Sequence, residues 1–150
     1  HGIGVGTREG EPLLYDARLD YEETLVYLAI ADPEGRPRLR LTAQHLSEVE
    51  PLYLETAFIT IEGGDPVDPI DPIVLSGTPV RQTDGSSVRE ALVMTARGDM
   101  LDRLSTMIGS RRFTVTFLGS DEQITHRPSV AERAAMSNML FAYLDLGGER

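Results

Sequence analysis

Residues 88–117, VREALVMTARGDMLDRLSTMIGSRRFTVTF, carry the clearest structural pattern in the chain. From residue 88 to 97 the side chains alternate with a period of two, which predicts a strand. Asp99 is placed to cap a helix whose apolar face is formed by Met100, Leu101, Leu104, Met107 and Ile108. Gly109 suits the left-handed residue after that helix, and a second strand carries Phe113, Val115 and Phe117 on one side. We therefore predict a strand–helix–strand unit.

The flanking segments extend this unit into an antiparallel sheet. Alternation at 13–19, an apolar run at 24–31 and a turn-rich segment at 32–37 predict a meander that continues into a third strand. Residues 52–62 and 73–80 read as two further strands, and Ser129 with Glu132 forms a capping box before a final helix. The sequence thus predicts an α+β fold that is mainly antiparallel β, with about seven strands in a sandwich-like arrangement and two helices late in the chain.

The first ten residues of the chain are rich in glycine. A phosphate-binding glycine loop follows a strand and opens a helix, and no such context precedes Gly2, Gly4, Gly6 and Gly10. We therefore expect residues 1–10 to be a flexible N-terminus. Residues 11–150 are expected to form a single α+β domain, since no linker or repeat interrupts them.

The composition excludes several kinds of chemistry. The chain has no Cys, and all 14 of its basic residues are Arg, so it has no Lys. Thiol nucleophiles, thiolate metal sites, Schiff bases and a phosphate-binding lysine are therefore ruled out. We expect no cofactor and no catalysis, which favours a binding role over an enzyme.

The formal charge of −10 bears on the choice of partner. Proteins that bind nucleic acid usually present a basic surface, so DNA and RNA are not expected to bind. No apolar run approaches the roughly 18–20 residues that span a bilayer, and no membrane-spanning segment is expected. The plain interpretation of the acidity is solubility.

Two residue patterns are candidates for catalytic or metal sites. Asp65, Asp68 and Asp71 recur every three residues in a proline-rich loop, but an extended backbone spreads such carboxylates apart instead of gathering them around a cation. His45 and His126 each lie near Ser, Asp or Glu, without a nucleophile elbow or a metal-binding histidine pair. We expect a solvated acidic loop, no metal site and no catalytic residue.

Arginines and one aromatic side chain are the candidate binding residues. Arg36, Arg38 and Arg40 would share one face of a strand, where their guanidinium groups could hold an anionic ligand or an acidic partner. The alternative is cross-strand pairing with carboxylates, and the same two interpretations apply to Arg111 and Arg112. Phe141 lies away from the apolar stripe of the final helix, so it is a candidate anchor for a partner.

The order of elements resembles small periplasmic β-rich proteins related to invasion-associated locus B and a type VI secretion accessory family. The segments that carry the resemblance are RPRLRL at 36–41, LYL at 52–54, and residues 101–117. This chain departs from the family pattern in two ways. It lacks the family's cysteines and tryptophan, and its own final helix is longer than the family's. The resemblance implies a location in the bacterial cell envelope, so a periplasmic or secreted protein is favoured over a cytoplasmic one.

Three functional hypotheses follow. The first is a non-catalytic soluble adaptor or binding domain that acts through protein–protein contacts, with a protein partner or as a homo-oligomer, by an exposed edge strand or the last helix. The second is a carrier of a small anionic or apolar ligand, with Arg38 or Arg40 at the mouth of a pocket between sheet and helices. The third is a metal-assisted hydrolase that uses the loop aspartates.

Overall fold

Two antiparallel sheets and two helices make up the part of the chain that the computed structural model describes, which is residues 3–8, 11–48, 50–62, 71–110 and 112–148. The elements in chain order are β1 (Ile3–Arg8), β2 (Glu11–Asp16), β3 (Leu25–Ala31), β4 (Arg38–Ser47), β5 (Thr56–Ile61), β6 (Ile73–Leu75), β7 (Val80–Asp84), β8 (Ser87–Ala96), α1 (Asp99–Gly109), β9 (Phe113–Leu118), β10 (Gln123–His126) and α2 (Val130–Asp145). The six-stranded sheet has the order β1-β2-β3-β4-β8-β7, and the four-stranded sheet has the order β10-β9-β5-β6. The predicted α+β class, with helices late in the chain, is confirmed.

One apolar core joins both sheets and both helices. On β3 and β4 the alternate residues Leu28, Ile30, Leu39 and Leu41 point into it, together with Ile59 and Phe117 from the four-stranded sheet and Leu104 and Met136 from the helices. The opposite side of the six-stranded sheet, called the outer face below, carries a smaller cluster of Leu25, Tyr27 and Ala29. β3 is therefore buried on both of its sides, as its nearly continuous apolar sequence predicts.

The helix after β8 forms where the periodicity predicts it, but its ends differ. Leu101, Leu104 and Met107 are buried along one face. Gly98, at φ 59°, takes the N-cap position in place of Asp99, and Asp99 is instead the first helical residue. Gly109 belongs to the helix, and Ser110 closes it through a hydroxyl that donates to the Met107 carbonyl at 2.6 Å. The predicted caps are wrong because a glycine directly before Asp99 allows the chain to turn one residue earlier.

The segment predicted as one strand at 73–80 is two strands in different sheets. β6 pairs with β5 in the four-stranded sheet, whereas β7 pairs with β8 in the six-stranded sheet. Gly77, at φ 122°, and Pro79 lie between them, where proline removes a backbone donor and glycine permits the turn. β6 has only three residues and all of β7 is exposed, so the local pattern alone does not show which sheet each strand joins.

Part of the N-terminal segment forms a strand, whereas its flexibility stays a prediction. Residues 3–8 form β1, which pairs with β2 from Ile3 opposite Asp16 to Arg8 opposite Glu11. Ile3, Val5 and Thr7 are β-branched residues at alternate positions, and such residues favour strands. Three strands that were not predicted, β1, β7 and the short β10, raise the number of described strands from the predicted seven to ten.

The last helix begins as predicted. The Ser129 hydroxyl accepts from the Glu132 amide at 3.1 Å, and the Glu132 carboxylate accepts from the Ser129 amide at 3.2 Å, which completes the capping box. α2 packs against β3 through a face that includes Ala135, Met136, Met139, Leu140 and Tyr143. Its end is marked by Gly147 at φ 83°, in the left-handed region that glycine favours.

Candidate functional site

The predicted arginine triplet is divided by the start of β4. Arg36 lies in the β3–β4 turn, where its amide donates to Asp32 Oδ2 at 3.2 Å, so it does not share a strand face with the other two. Arg36 and Arg38 line an open cleft beside Tyr143 and Leu146 at the end of α2. Arg40 lines a different pocket, on the outer face. The prediction of one shared arginine face is wrong for Arg36, because β4 begins at Arg38.

The outer-face pocket is a cavity of about 290 Å³ that crosses the six-stranded sheet from β2 to β7. Its apolar lining consists of Leu13, Tyr27, Ala29, Val80, Ala91 and Val93. Arg40 and Arg89 carry the charge in the lining, and none of the described lining residues is acidic. The pocket is on the side of the sheet away from the helices, and not between sheet and helices as the carrier hypothesis expects.

Arg89 is held in place by two neighbours. Its Nη1 donates to Gln82 Oε1 at 3.2 Å, and its Nη2 bonds to the Glu22 carboxylate. The segment that carries Glu22 is itself anchored, since Gln44 Nε2 donates to the carbonyl oxygens of Tyr21 at 2.7 Å and Glu23 at 2.8 Å. One guanidinium group thereby connects β8, the edge strand β7 and the loop before β3.

β7 is an exposed edge of the six-stranded sheet. All five of its residues are exposed, and within the described part of the chain it pairs with β8 alone. Asp84 opposes Ser87 across Gly85 at φ 63° and Ser86, a two-residue loop that fits a type II′ hairpin. In such a hairpin the pair next to the turn exchanges hydrogen bonds, so the amides of Arg81 and Thr83 point away from β8. This edge therefore presents backbone groups that another strand could use.

Glu90 is the most heavily hydrogen-bonded side chain at this edge. Its fully buried carboxylate accepts from the amides of Leu52 at 2.6 Å, Tyr53 at 3.2 Å and Leu54 at 2.8 Å. Arg81 Nη2 donates to the same carboxylate at 3.2 Å, and its guanidinium lies 5.4 Å from the centre of the Tyr53 ring. Residues 52–54 are consequently held outside β5, with Tyr53 at φ 56°, and the predicted strand 52–62 starts only at Thr56.

His45 and Ser47 make contact on β4 without completing a catalytic arrangement. Ser47 Oγ is 3.3 Å from His45 Nδ1, and the imidazole packs 5.6 Å from the Phe117 ring. Burial lowers the pKa of His45 below its ordinary value, and the nearby Glu90 charge opposes that shift. The Glu90 oxygens are taken by backbone amides and Arg81, so this carboxylate does not orient the imidazole as a triad acid would.

His126 is held by a carboxylate that has other roles. Its Nε2 lies 2.9 Å from Glu132 Oε2, and the Val26 amide donates to the same oxygen at 3.2 Å. Glu132 thus joins the end of β10, the start of α2 and the start of β3. This network stabilises the junction of three elements, which is a sufficient role for both residues.

The predicted loop aspartates fall mostly outside the described residues. Asp65 and Asp68 lie there, as does Arg111, whereas Asp71 is exposed and 3.9 Å from Arg103. Arg112 is exposed on the approach to β9, and its carbonyl accepts from the Glu62 amide at 3.2 Å. Across the residues that are described, no three His, Asp or Glu side chains gather at one point.

Phe141 is exposed, as its position off the apolar stripe predicts. Its side chain is 63% exposed on α2, and Val130 at the start of the helix is 73% exposed. About three turns of helix separate these two residues, so they do not form a continuous apolar patch. A contact between Phe141 and a partner stays a prediction.

Sequence reasoning missed the residues that organise this edge, Gln82, Arg89 and Glu90. One signal was present: Glu90 occurs among apolar residues in the inward-facing half of the alternating pattern, where a charge is buried only if it is bonded. The partners of Glu90 are 36–38 residues away in sequence, so local spacing does not reveal them.

None of the protein-family models, curated proteins and solved structures compared with this chain matches it. The resemblance to periplasmic β-rich proteins, and the envelope location that it implies, therefore stay predictions. Neither helix in the described residues has the length and apolar character needed to cross a bilayer.

Proposed function

We propose that this chain is a non-catalytic binding domain that acts through protein–protein contacts, and that its partner adds a strand to β7. The observation that carries the proposal is the exposure of all five β7 residues at a sheet edge whose described pairing is with β8 alone. Strand addition uses free backbone groups for affinity and alternate side-chain contacts for specificity. β7 supplies backbone groups through the outward-pointing amides of Arg81 and Thr83. It supplies side-chain contacts through Val80 and Gln82, which border the outer-face pocket.

Natural sheets usually protect such an edge with charged side chains. On β7 the charged residue Arg81 bonds to Glu90 and lies over the Tyr53 ring, so its side chain is engaged within the chain instead of protecting the edge. Two of the other described edges are less suitable: β6 has three residues, and β10 has four and leads directly into the Glu132 network. β7 is therefore favoured over β6 and β10, and the remaining described edge is the six-residue β1.

Three buried carboxylates have structural roles. The carboxylates of Asp16, Glu90 and Glu132 are buried, and each is bonded to backbone amides. A buried carboxylate that is saturated in this way is poorly placed to exchange protons with a substrate. These contacts support a binding role over an enzymatic one.

The test is a proline substitution in β7. Peptides selected from a random library on the wild-type protein are measured against Thr83→Pro, which removes an outward-pointing amide, and Thr83→Ala, which keeps it. Proline is tolerated on an edge strand where its nitrogen faces away from the neighbour, so the fold is expected to survive. We expect Thr83→Pro to weaken binding about tenfold or more and Thr83→Ala to have little effect, because strand addition loses a backbone hydrogen bond.

Equal affinity of the selected peptides for Thr83→Pro and wild type contradicts the proposal. The same variant pair also tests self-association. A homodimer formed edge to edge through β7 would appear by native mass spectrometry in wild type and Thr83→Ala and be lost in Thr83→Pro.

A further inference from the structure

One end of the outer-face pocket lies on the edge strand β7. Val80 and Gln82 of β7 line the pocket next to Ala91 and Val93 of β8. Val80 is paired with Ala91, so their side chains lie on the same face of the sheet. Successive side chains of a strand point to opposite faces, so a strand added to β7 would place every second side chain at this end of the pocket.

This end of the pocket exposes apolar surface. Val80 is 40% exposed and Val93 is 44% exposed. Val93 belongs to a central strand, but the pairing of β7 with β8 begins at Val80 opposite Ala91 and does not extend to Val93. The whole pocket, at about 290 Å³, is near the lower end of ligand pockets, which run from about 300 to 1,000 Å³. Its β7 end therefore suits a single apolar side chain.

The charged groups in the pocket lining have partners within the chain. Arg89 bonds to Glu22 and Gln82, and Arg40 also has a partner. Arg40 lies opposite Thr95, far along β8 from Arg89, so the two guanidinium groups do not converge on one anion. The pocket next to β7 therefore favours an uncharged occupant.

The register of β7 determines which of its residues would lie closest to the side chains of an added strand. The amides of Arg81 and Thr83 point away from β8, so these two residues would form the hydrogen-bonded pairs with an antiparallel strand. Val80 and Gln82 would then be in non-hydrogen-bonded pairs, where opposite Cα atoms are only about 4.5 Å apart and the side chains are closest. Aromatic and long side chains also reach diagonal neighbours about 7–8 Å away. A long side chain opposite Val80 can therefore cover it and extend over it toward Ala91.

We propose that the strand added to β7 is antiparallel and carries a long apolar side chain, such as that of Leu, Met or Phe, opposite Val80. A polar side chain two residues before it lies opposite Gln82. The apolar side chain, called the anchor below, occupies the β7 end of the outer-face pocket and removes the exposed surface of Val80 from water. This inference rests on the strand addition proposed above and names the kind of segment that β7 selects. Backbone bonds supply affinity for any extended segment, and the anchor supplies the specificity.

The experiment selects a random decapeptide library against the wild-type protein and uses the synthetic peptide of the most enriched sequence as its probe. We expect the enriched sequences to share one long apolar position, with a polar residue two positions before it. Alanine at the apolar position should weaken binding about tenfold or more, because the surface of the anchor returns to water. By NMR, the probe should shift the methyl signals of Val80 and Ala91 and leave those of Val74, on β6, unchanged. Enriched sequences without a shared apolar position, or a probe that leaves the Val80 signals unshifted, overturn the inference.

Variants of the protein locate the anchor. Val80→Thr keeps a β-branched residue in β7 and replaces one methyl group with a hydroxyl, so it should weaken the probe about fourfold or more. Val74→Thr is the matched control, because Val74 is 47% exposed on the other sheet, and it should have no effect. In a double-mutant cycle, Val80→Thr should make little difference to the peptide that has alanine in place of the anchor. Equal weakening of both peptides by Val80→Thr overturns the contact between the anchor and Val80.

The failure of this inference differs from the failure of strand addition. If Thr83→Pro loses the probe while Val80→Thr binds it as tightly as wild type, the anchor is wrong and strand addition stands. If Thr83→Pro binds the probe as tightly as wild type, strand addition is wrong and the anchor fails with it. Loss in both variants, with Val74→Thr unchanged, is the result that we expect.

Discussion

The Glu90 carboxylate accepts a hydrogen bond of 2.6 Å from the Leu52 amide, across the boundary between the two sheets. Glu90 is on β8 of the six-stranded sheet, and Leu52 lies just before β5 of the four-stranded sheet. The Leu54 amide bonds to the other oxygen at 2.8 Å, so one side chain holds a three-residue segment against β8. This contact also positions Arg81, and with it the exposed edge β7.

Removal of this carboxylate should destabilise the fold. Glu90→Ala leaves the buried amides of Leu52 and Leu54 without their acceptor, and each such loss costs about 1–3 kcal/mol. We expect the free energy of unfolding in urea to fall by about 3 kcal/mol or more. Glu55→Ala, an exposed glutamate next to the same segment, should change it by less than about 0.5 kcal/mol. Equal effects of the two substitutions would show that the Glu90 contacts are not stabilising.

His45 should make the protein less stable in mild acid. Burial holds its pKa below the ordinary value of 6.5, so the unfolded chain binds the proton more readily than the folded chain. Stability therefore rises with pH through the window between the folded pKa and 6.5, and falls when the pH drops through that window. We expect His45→Gln to show a smaller loss of unfolding free energy than wild type between neutral pH and pH about 5. Parallel pH curves for the two proteins would contradict this assignment.

Protonation of Asp16 should destabilise the fold at a lower pH than protonation of His45. The Arg18 side chain, at 2.6 Å and 2.9 Å from its two carboxylate oxygens, holds the pKa of Asp16 below 3.8, with backbone bonding from Arg18 in support. The stabilisation is fully present above the ordinary pKa and is lost as the pH falls through the folded pKa. Asp16→Asn should therefore be less stable than wild type at neutral pH, with a difference that shrinks in acid. As a control, the exposed Asp121→Asn should leave the free energy of unfolding at neutral pH nearly unchanged.

The fold was predictable wherever one local pattern determines the structure. The alternation at 88–96, the helical spacing of Leu101, Leu104 and Met107, and the reciprocal bonds of Ser129 and Glu132 each depend on neighbours along the chain. The change of sheet between β6 and β7 was not predictable, because it depends on pairing with β5 and with β8, which local spacing does not reveal. The start of β5 was missed because Glu90, distant in sequence, takes the amides of residues 52–54.

The candidate site was predictable only in part. Arg40 was identified from its strand position, and it does line a pocket, but Arg36 and Arg38 belong to a separate cleft. The pocket itself depends on how β3, β4, β8 and β7 align side by side, which places Arg40 and Arg89 in different parts of one lining. Sheet order is a property of long-range pairing, so no spacing along the sequence assigns both arginines to the lining of one pocket.

Amide hydrogen exchange on β7 tests the central proposal most directly. Without a partner, the Gln82 amide should exchange slowly because it bonds to β8, whereas the Arg81 and Thr83 amides should exchange fast because they point outward. After addition of a selected peptide, we predict slow exchange at Arg81 and Thr83, as expected for a strand added to this edge. Protection that appears on α2 around Phe141 instead, with Arg81 and Thr83 still exchanging fast, would contradict the account.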